Sequence, residues 1–553
     1  MYLGSRLARI TALSLVPSLF FAVATAAPKS QAERKAAQEV YHNTADEPPS
    51  MDPNKQVDSL SGFWINHIWE GLMTYDKTGA TVAGAAESYS VSPDGKKYTF
   101  KIRKNSMWHD GKPVSAKDFE FAFRRLVDPK FASEYSFIAE TAQIANATEI
   151  IAGKKPTTEL GAKAVDDSTF EVTLNNPVAF FPSLMAFSAF YPVRQEIVEK
   201  HGDKFATNVE SIVGNGPFKL VSWQKETSMR VEKAANYWNA STIKLNAIEA
   251  PVIVKDAAAA YNLFRTGGID DVGLDTERLK QANKDKLRVK SYQDGSMWYL
   301  QMNTVKGKIF ENKKLRQALV AGLNRAQYVN KISAIPGDKA SIGLVPDYMP
   351  GSKPGSTYRK EAPISIKDAD LATAKKLIKE YLAETKQTKV PSFTILSQDS
   401  STAKRDAEYF QASLSKLFDT EVKIETVPFK TRLQRGRDKQ FDIGIYGWGP
   451  DYQDALTFMD LFMSNNSNNN TGFANKDFDD LILKAQKSND LGERVEIFKK
   501  AEALLIDEAP IAVFYQRGRA YTEAPGLTGV RRPVFGADPD YRFASWSNAS
   551  AKK

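Results

Sequence analysis

The chain has 553 residues, 75 Lys+Arg against 66 Asp+Glu, four His and no Cys, for a formal net charge of +9. That length allows several cores, and 42% apolar, 11% aromatic and 25% charged residues describe a folded rather than a disordered protein. Without Cys there are no disulfides, thiol nucleophiles or Cys-type metal sites, and His42, His67, His109 and His201 lie too far apart for a helical two-His zinc motif.

In chain order, the first element reads as an export signal. Arg6 and Arg9 precede a mostly apolar run, Ile10 to Ala22, too short to cross about 30 Å of hydrocarbon as a helix. Small residues, Ala22 to Ala27, follow where a signal peptidase reads, so cleavage is expected after Ala26. No Cys follows to carry a lipid, and the mature protein is expected to be periplasmic, without a membrane anchor. Removing Arg6 and Arg9 with residues 1–26 lowers the net charge by two, from +9 to +7. The remaining charges are interleaved. The densest basic stretch, Lys430 to Lys439 with Arg432, Arg435 and Arg437, reads as a solvated face, and nucleic acid is not an expected partner.

Further along, Pro93-Asp94-Gly95 marks a turn into a strand, Lys96 to Lys104, with Tyr98, Phe100 and Ile102 on one face. Thr169 to Leu174 is a second strand, ended by Asn175-Asn176-Pro177. Pro350 to Gly355 and the Asn-rich run Ser464 to Thr471 read as surface connections. Ala369 to Ala383 carries Leu371, Ala374, Leu377, Ile378 and Tyr381 at helical spacing behind Asp368 as N-cap, and Arg494 to Ile506 repeats the pattern, stopping near Pro510. No repeat of 20–50 residues is visible. The alternation describes an α/β or α+β chain of several lobes.

Enzyme motifs fail on inspection. There is no G-x-S-x-G elbow, P-loop or G-x-G-x-x-G. Ser-x-x-Lys occurs at Ser222, Ser401 and Ser413, but Lys77-Thr78-Gly79 precedes them, the wrong order for a serine-acylating enzyme, and no Ser-Asp-Asn intervenes. Asp270-Asp271 and Asp479-Asp480 are adjacent, so each pair faces two directions and reads as solvated surface rather than an acid/base couple.

A series of segments is more specific. Glu47-Pro48-Pro49-Ser50-Met51-Asp52-Pro53, Ile68-Trp69-Glu70-Gly71-Leu72 and Trp108-His109-Asp110-Gly111-Lys112-Pro113-Val114 come first; Asn215-Gly216-Pro217-Phe218, Tyr237-Trp238-Asn239, Leu315-Arg316-Gln317-Ala318-Leu319 and Gly447-Trp448-Gly449-Pro450-Asp451-Tyr452 follow. In this order, over nearly all of the mature chain, they resemble the peptide-binding branch of the extracytoplasmic solute-binding proteins of ABC importers, family 5. The resemblance implies an α/β, two-lobed periplasmic-binding-protein fold with a hinged cleft and an extra domain on the first lobe. Lobe I is expected at 27–73, 188–292 and 519–553, the extra domain at 74–187 and lobe II at 293–518. It implies a monomer that captures short peptides for a membrane ABC permease complex, with no catalysis, cofactor or metal.

A binder of many peptides must grip their backbones and charged ends, and strand addition to an exposed edge does so independently of side chains. The resemblance places such edges at Glu47 and Pro48, at Asn215-Gly216, and at Gly447 and Gly449. It assigns Asp451 to the peptide's α-ammonium and makes Tyr135, Phe429 and Trp448 aromatic ligand contacts, Phe429 standing where the family often has Trp. The chain departs from the family at Ile445, where a basic residue helps hold a short peptide's carboxylate; Lys404, aligned near a family His, is left to supply charge. The family's disulfide is missing. The alternatives are a same-family binder of murein tripeptide, dipeptide, haem or a nickel chelate, and a periplasmic hydrolase.

Overall fold

The computed structural model describes residues 28–364 and 367–547; the export segment expected at 1–26 lies outside them. Three sheets organise the chain. The first has the order Glu39–Tyr41, Ala247–Ala250, Ser228–Lys233, Phe218–Gln224, with only the edge pair parallel. The second is antiparallel, in the order Ala86–Val91, Lys97–Ile102, Thr169–Thr173, Ala162–Asp166. Here the turn at Asp94 closes through Gly95 N donating to Ser92 O at 2.8 Å, and Tyr98, Phe100 and Ile102 are buried on one face as their alternation requires. The strand stops at Ile102 because Arg103 turns its guanidinium to Gly84 O and the face of Trp238.

The third sheet has seven strands: β1 (Asp271–Leu274), β2 (Val289–Met302), β3 (Lys339–Ala340), β4 (Phe393–Gln398), β5 (Val422–Val427), β6 (Ile443–Trp448) and β7 (Ile511–Glu523). Their order is β1-β7-β2-β6-β4-β5, with β3 also on β7. β4 runs parallel to both β5 and β6, and the other pairs are antiparallel. The expected borders at 292–293 and 518–519 fall inside β2 and β7, which continue through them as a paired ribbon. The register slips there, between Gln293 and Met297. Asp294 sits at the slip; burial works to raise its pKa, but the guanidinium groups of Arg517 and Arg519 hold it well below the usual carboxylate range. The tail returns to the first sheet, with Trp546 Nε1 donating to Glu39 O at 2.6 Å. A hydrophobic core runs through the first two sheets and on into residues 446–505, and a second core fills the far side of the third sheet.

Several local expectations change. The helix expected behind Asp368 is Leu371–Thr385, capped by Asp370, whose side chain accepts from Thr373 N. Asp368 instead accepts from the backbone of Arg325 and Ala326, because Ala369 adopts a left-handed turn between the two aspartates. The later helix runs from Leu491 to Glu508 behind an Asp490 cap, three residues earlier than expected. Asp270 and Asp271 are buried rather than solvated. Asp270 takes a two-point ion pair from Arg34, and Asp271 pairs with His42 and Arg532, so each anchors a different segment. Asn469 and Thr471, in the expected surface loop, are also buried: the Asn469 amide donates to Met463 O and Phe473 O. Within the basic stretch, Arg432 is buried.

Candidate functional site

Asp451 follows β6 after the turn Gly449-Pro450. Its backbone N donates to Thr457 Oγ1 at 3.0 Å, and its half-buried carboxylate receives the Tyr135 hydroxyl, 3.3 Å from either oxygen. Tyr135 lies 316 positions earlier in the chain, in the segment expected as the extra domain, whereas Asp451 lies in the segment expected as lobe II. No cation lies within ion-pair distance of Asp451 among the described residues. Burial, and then the nearby Asp460 carboxylate, push the Asp451 pKa well above the usual range. Asp460 is itself buried and pushed up to about 7, first by burial; one oxygen accepts from Thr141 and Tyr452, while Oδ1 has no partner. The site is thus two carboxylates short of positive charge. The neighbouring acid Asp454, by contrast, is neutralised by Arg494 at 2.5 Å.

Aromatic rings enclose the acids. Tyr135 lies 6.2 Å from Trp448 and 5.0 Å from Phe187, and Phe180 stacks on Tyr452 at 4.7 Å. Trp448 Nε1 is a buried donor without an acceptor. The strand edge alongside is open. Asp442 O accepts from Asn303 N, next to β2, so residues 442, 444, 446 and 448 face β2 by strand alternation. Ile443, Ile445 and Gly447 then face the other flank, where β4 pairs only with Ile443 and Gly444. Gly447, which is exposed, therefore has its backbone groups on a flank that no strand covers. A Cβ there would sit 2.5 Å from the Trp298 ring, so the close cross-strand approach requires glycine; Gly449 has open space around it.

A cavity of about 1490 Å³ is walled by Glu47 to Asp52 and Trp223, by Phe131 and Glu134, and by Pro428 to Thr431, segments expected in lobe I, the extra domain and lobe II; Asp451, Tyr135, Trp448, Gly447 and Gly449 are not among its lining residues. Small-molecule pockets are typically about 300–1,000 Å³, so this one suits a longer ligand. Ion pairs join segments expected in different lobes near this cavity: Lys255 bridges Asp46 and Asp399, each at 3.2 Å, and Arg437 pairs with Glu134 at 3.2 Å.

The residues expected from the sequence divide accordingly. Asp451, Tyr135 and Trp448 meet, Gly447 and Gly449 border them, and Phe429, Glu47 and Pro48 line the cavity. The Glu47 carboxylate is spent on other residues of the cavity wall, accepting from Trp223 Nε1 at 2.8 Å and Glu226 N at 2.9 Å, and its N–H is taken by Asp46. With Pro48 and Pro49 following, that segment can present only carbonyl oxygens to a ligand. Asn215 and Gly216 are absent from the cavity wall. The Asn215 amide is spent on the backbone of Glu70, and Gly216 packs so closely on Ile68 and Trp69 that a Cβ would meet them at 2.7–2.8 Å. Lys404 is exposed on the first turn of Ser401–Phe418 and does not line the cavity. Sequence reasoning missed Asp460; an acid nine residues after Asp451 without a basic neighbour was a faint signal for it.

Residues 80–470 match the family "Bacterial extracellular solute-binding proteins, family 5 Middle". The chain is 30% identical to the dipeptide-binding protein DppE of Bacillus subtilis (strain 168) over 539 residues, covering 96% of this chain and 98% of that one. It is 32% identical to the oligopeptide-binding protein OppA of the same organism over 506 residues, covering 89% and 90%. Its fold matches the structure of Listeria monocytogenes OppA bound to peptide with a TM-score of 0.87 at 32% identity, covering 93% of this chain and 99% of that one.

Proposed function

The chain belongs to the bacterial extracellular solute-binding proteins of family 5, and on that premise we propose that it captures short peptides in its cleft and hands them intact to an ABC permease. It acts outside the cytoplasm after loss of its export signal, as a monomer, and makes or breaks no bond. The observation that carries this reading is the Asp451 carboxylate, enclosed by Tyr135 and Trp448 yet without a cation. A peptide's α-ammonium supplies that charge, since a carboxylate removed from water needs a partner. The free flank of Gly447 to Gly449 pairs with the peptide backbone, and the cavity beyond Phe429 takes the side chains. Contacts from both lobes then favour the closed form.

The test is calorimetric titration with one peptide in free-amine and N-acetylated forms. The wild type is expected to prefer the free amine, and Asp451→Ala to lose about 2 kcal/mol or more on that form while ceasing to discriminate. Equal wild-type affinity for both forms would remove Asp451 from the site, and cleavage of the peptide on incubation would point to a hydrolase.

A further inference from the structure

Between Lys367 and Lys389 the charges are interleaved along the sequence, but the fold separates them. The helix Leu371–Thr385 buries Ala374 and Tyr381 and sets Leu377, Ile378 and Leu382 against the second core, beside the helix Lys313–Gly322. The helical period fixes what stands opposite: Ala372, Lys376, Lys379 and Ala383 follow at intervals of four, three and four, with Lys375 alongside. All five are exposed, as are Lys386 at the C-cap and Lys389 beyond it. The helix's two acids lie to one side, and both pair with Lys314 of the neighbouring helix, Glu380 at 3.2 Å. Asp370 is spent as the N-cap, and Asp368 on Arg325. Among the described residues, Lys375, Lys379, Lys386 and Lys389 therefore have no carboxylate within ion-pair distance. Lys376 has only Glu380 at 4.0 Å, and its side chain is 77% exposed.

The chemistry of this face selects its partner. It carries lysine and alanine, with no arginine and no aromatic residue. Surfaces that bind other proteins are enriched in arginine and aromatics and depleted in lysine. A lysine ammonium is a compact, hydrated charge on a flexible stem, which suits the diffuse field of many phosphates better than a shaped protein partner. Leu371, one turn before Lys375, is 51% exposed and adds an apolar group at the edge of the face. We propose that the outward face of Leu371–Thr385 docks the protein on anionic phospholipid surfaces. Each lysine close to such a surface strengthens the attraction about fivefold, so a few of them give a reversible, salt-sensitive contact rather than an anchor. No residue of this helix lines the large cavity, so a surface and a cavity ligand do not compete for it. A carrier that must reach a membrane permease would thereby search along the surface instead of through the volume. That use rests on the reading above; the contact itself does not.

The experiment is co-sedimentation with vesicles of mixed phosphatidylglycerol and phosphatidylcholine, and with vesicles of phosphatidylcholine alone. Wild type is expected to bind the anionic vesicles at least about tenfold more strongly, and to lose that preference in about 1 M salt, where charges are screened within about 3 Å. Lys375→Gln, Lys376→Gln, Lys379→Gln and Lys386→Gln together should weaken binding to anionic vesicles at least about a hundredfold. A control with the same change in net charge, Gln at the exposed Lys104, Lys154, Lys163 and Lys200, should stay within about threefold of wild type. No wild-type preference for anionic vesicles overturns the proposal and leaves the face to water or to an acidic protein. Equal losses in the two variants overturn it as well, because net charge then suffices. Should the fourfold variant not fold, Lys375→Gln with Lys379→Gln decides, with an expected loss of about twentyfold. Calorimetric titration with a peptide separates the two readings: vesicle binding without peptide binding overturns the peptide reading alone, and peptide binding without vesicle binding overturns only the docking face.

Discussion

Asp451 and Asp460 make the site sensitive to pH. An ammonium needs Asp451 ionised, but burial and Asp460 favour its protonated form. Peptide binding must therefore release protons, and affinity for free-amine peptides should fall as the pH is lowered. Titration in buffers of different ionisation enthalpy checks this; a flat affinity without proton release contradicts it. Asp460 also affects stability. Its folded pKa of about 7 lies above the ordinary 3.8, so the folded protein keeps a proton that the unfolded chain has lost. That contribution is full below about pH 4 and is lost as pH rises through about 7. Asp460→Asn should thus raise the melting temperature of the peptide-free protein more at pH 8 than at pH 4. His67 has the opposite sign: burial holds it near 4, and its stabilisation, present above about pH 6.5, is lost as pH falls through about 4. Its ring donates to Phe63 O and accepts from Tyr541 N, which fixes the neutral form and docks the tail.

Among elements, β6 is the one on which the proposed binding depends, and Gly447 is where it is most vulnerable. Gly447→Ala should push Trp298 aside and bend the free flank, costing about 1–3 kcal/mol in stability. Peptide affinity should fall whichever side chains the peptide carries, since the damage is to the backbone edge. Denaturant unfolding and titration with two unrelated peptides check both; a loss confined to one peptide would contradict the edge as the site of pairing. Elements with a strong local signal were legible beforehand. The alternation of Tyr98, Phe100 and Ile102 survives as a buried face because one side of that sheet covers the core. The cap at Asp370 was not, because Asp368 two residues earlier is an equally good cap, and Arg325 and Ala326 decide between them.

For the whole molecule, ion pairs join segments expected in different lobes. Lys255 joins Asp46 to Asp399, but it is well exposed and such pairs are worth about 0–1 kcal/mol. A bound peptide contributes more. At a free concentration of about a hundred times Kd it should add about 2.7 kcal/mol to the unfolding free energy. Lys255→Ala should leave that gain almost unchanged while expanding only the peptide-free protein in small-angle scattering. A gain that vanishes with Lys255 would transfer the clamp to the ion pairs.

By itself the sequence determined the kind of protein: the ordered segments from Glu47 to Tyr452 carry the family, and Asp451 stands out as an acid beside a glycine-rich strand end. Those properties are local in the chain, in residue type, spacing and alternation. What only the tertiary structure decided is which charges lack partners. Asp270 and Asp271 read as solvated, yet are buried and paired by residues 229 to 261 positions away. Asn215 is spent on Glu70. Burial and pairing are set by segments distant in the chain, and they separate a charge that folding has satisfied from one left for a ligand.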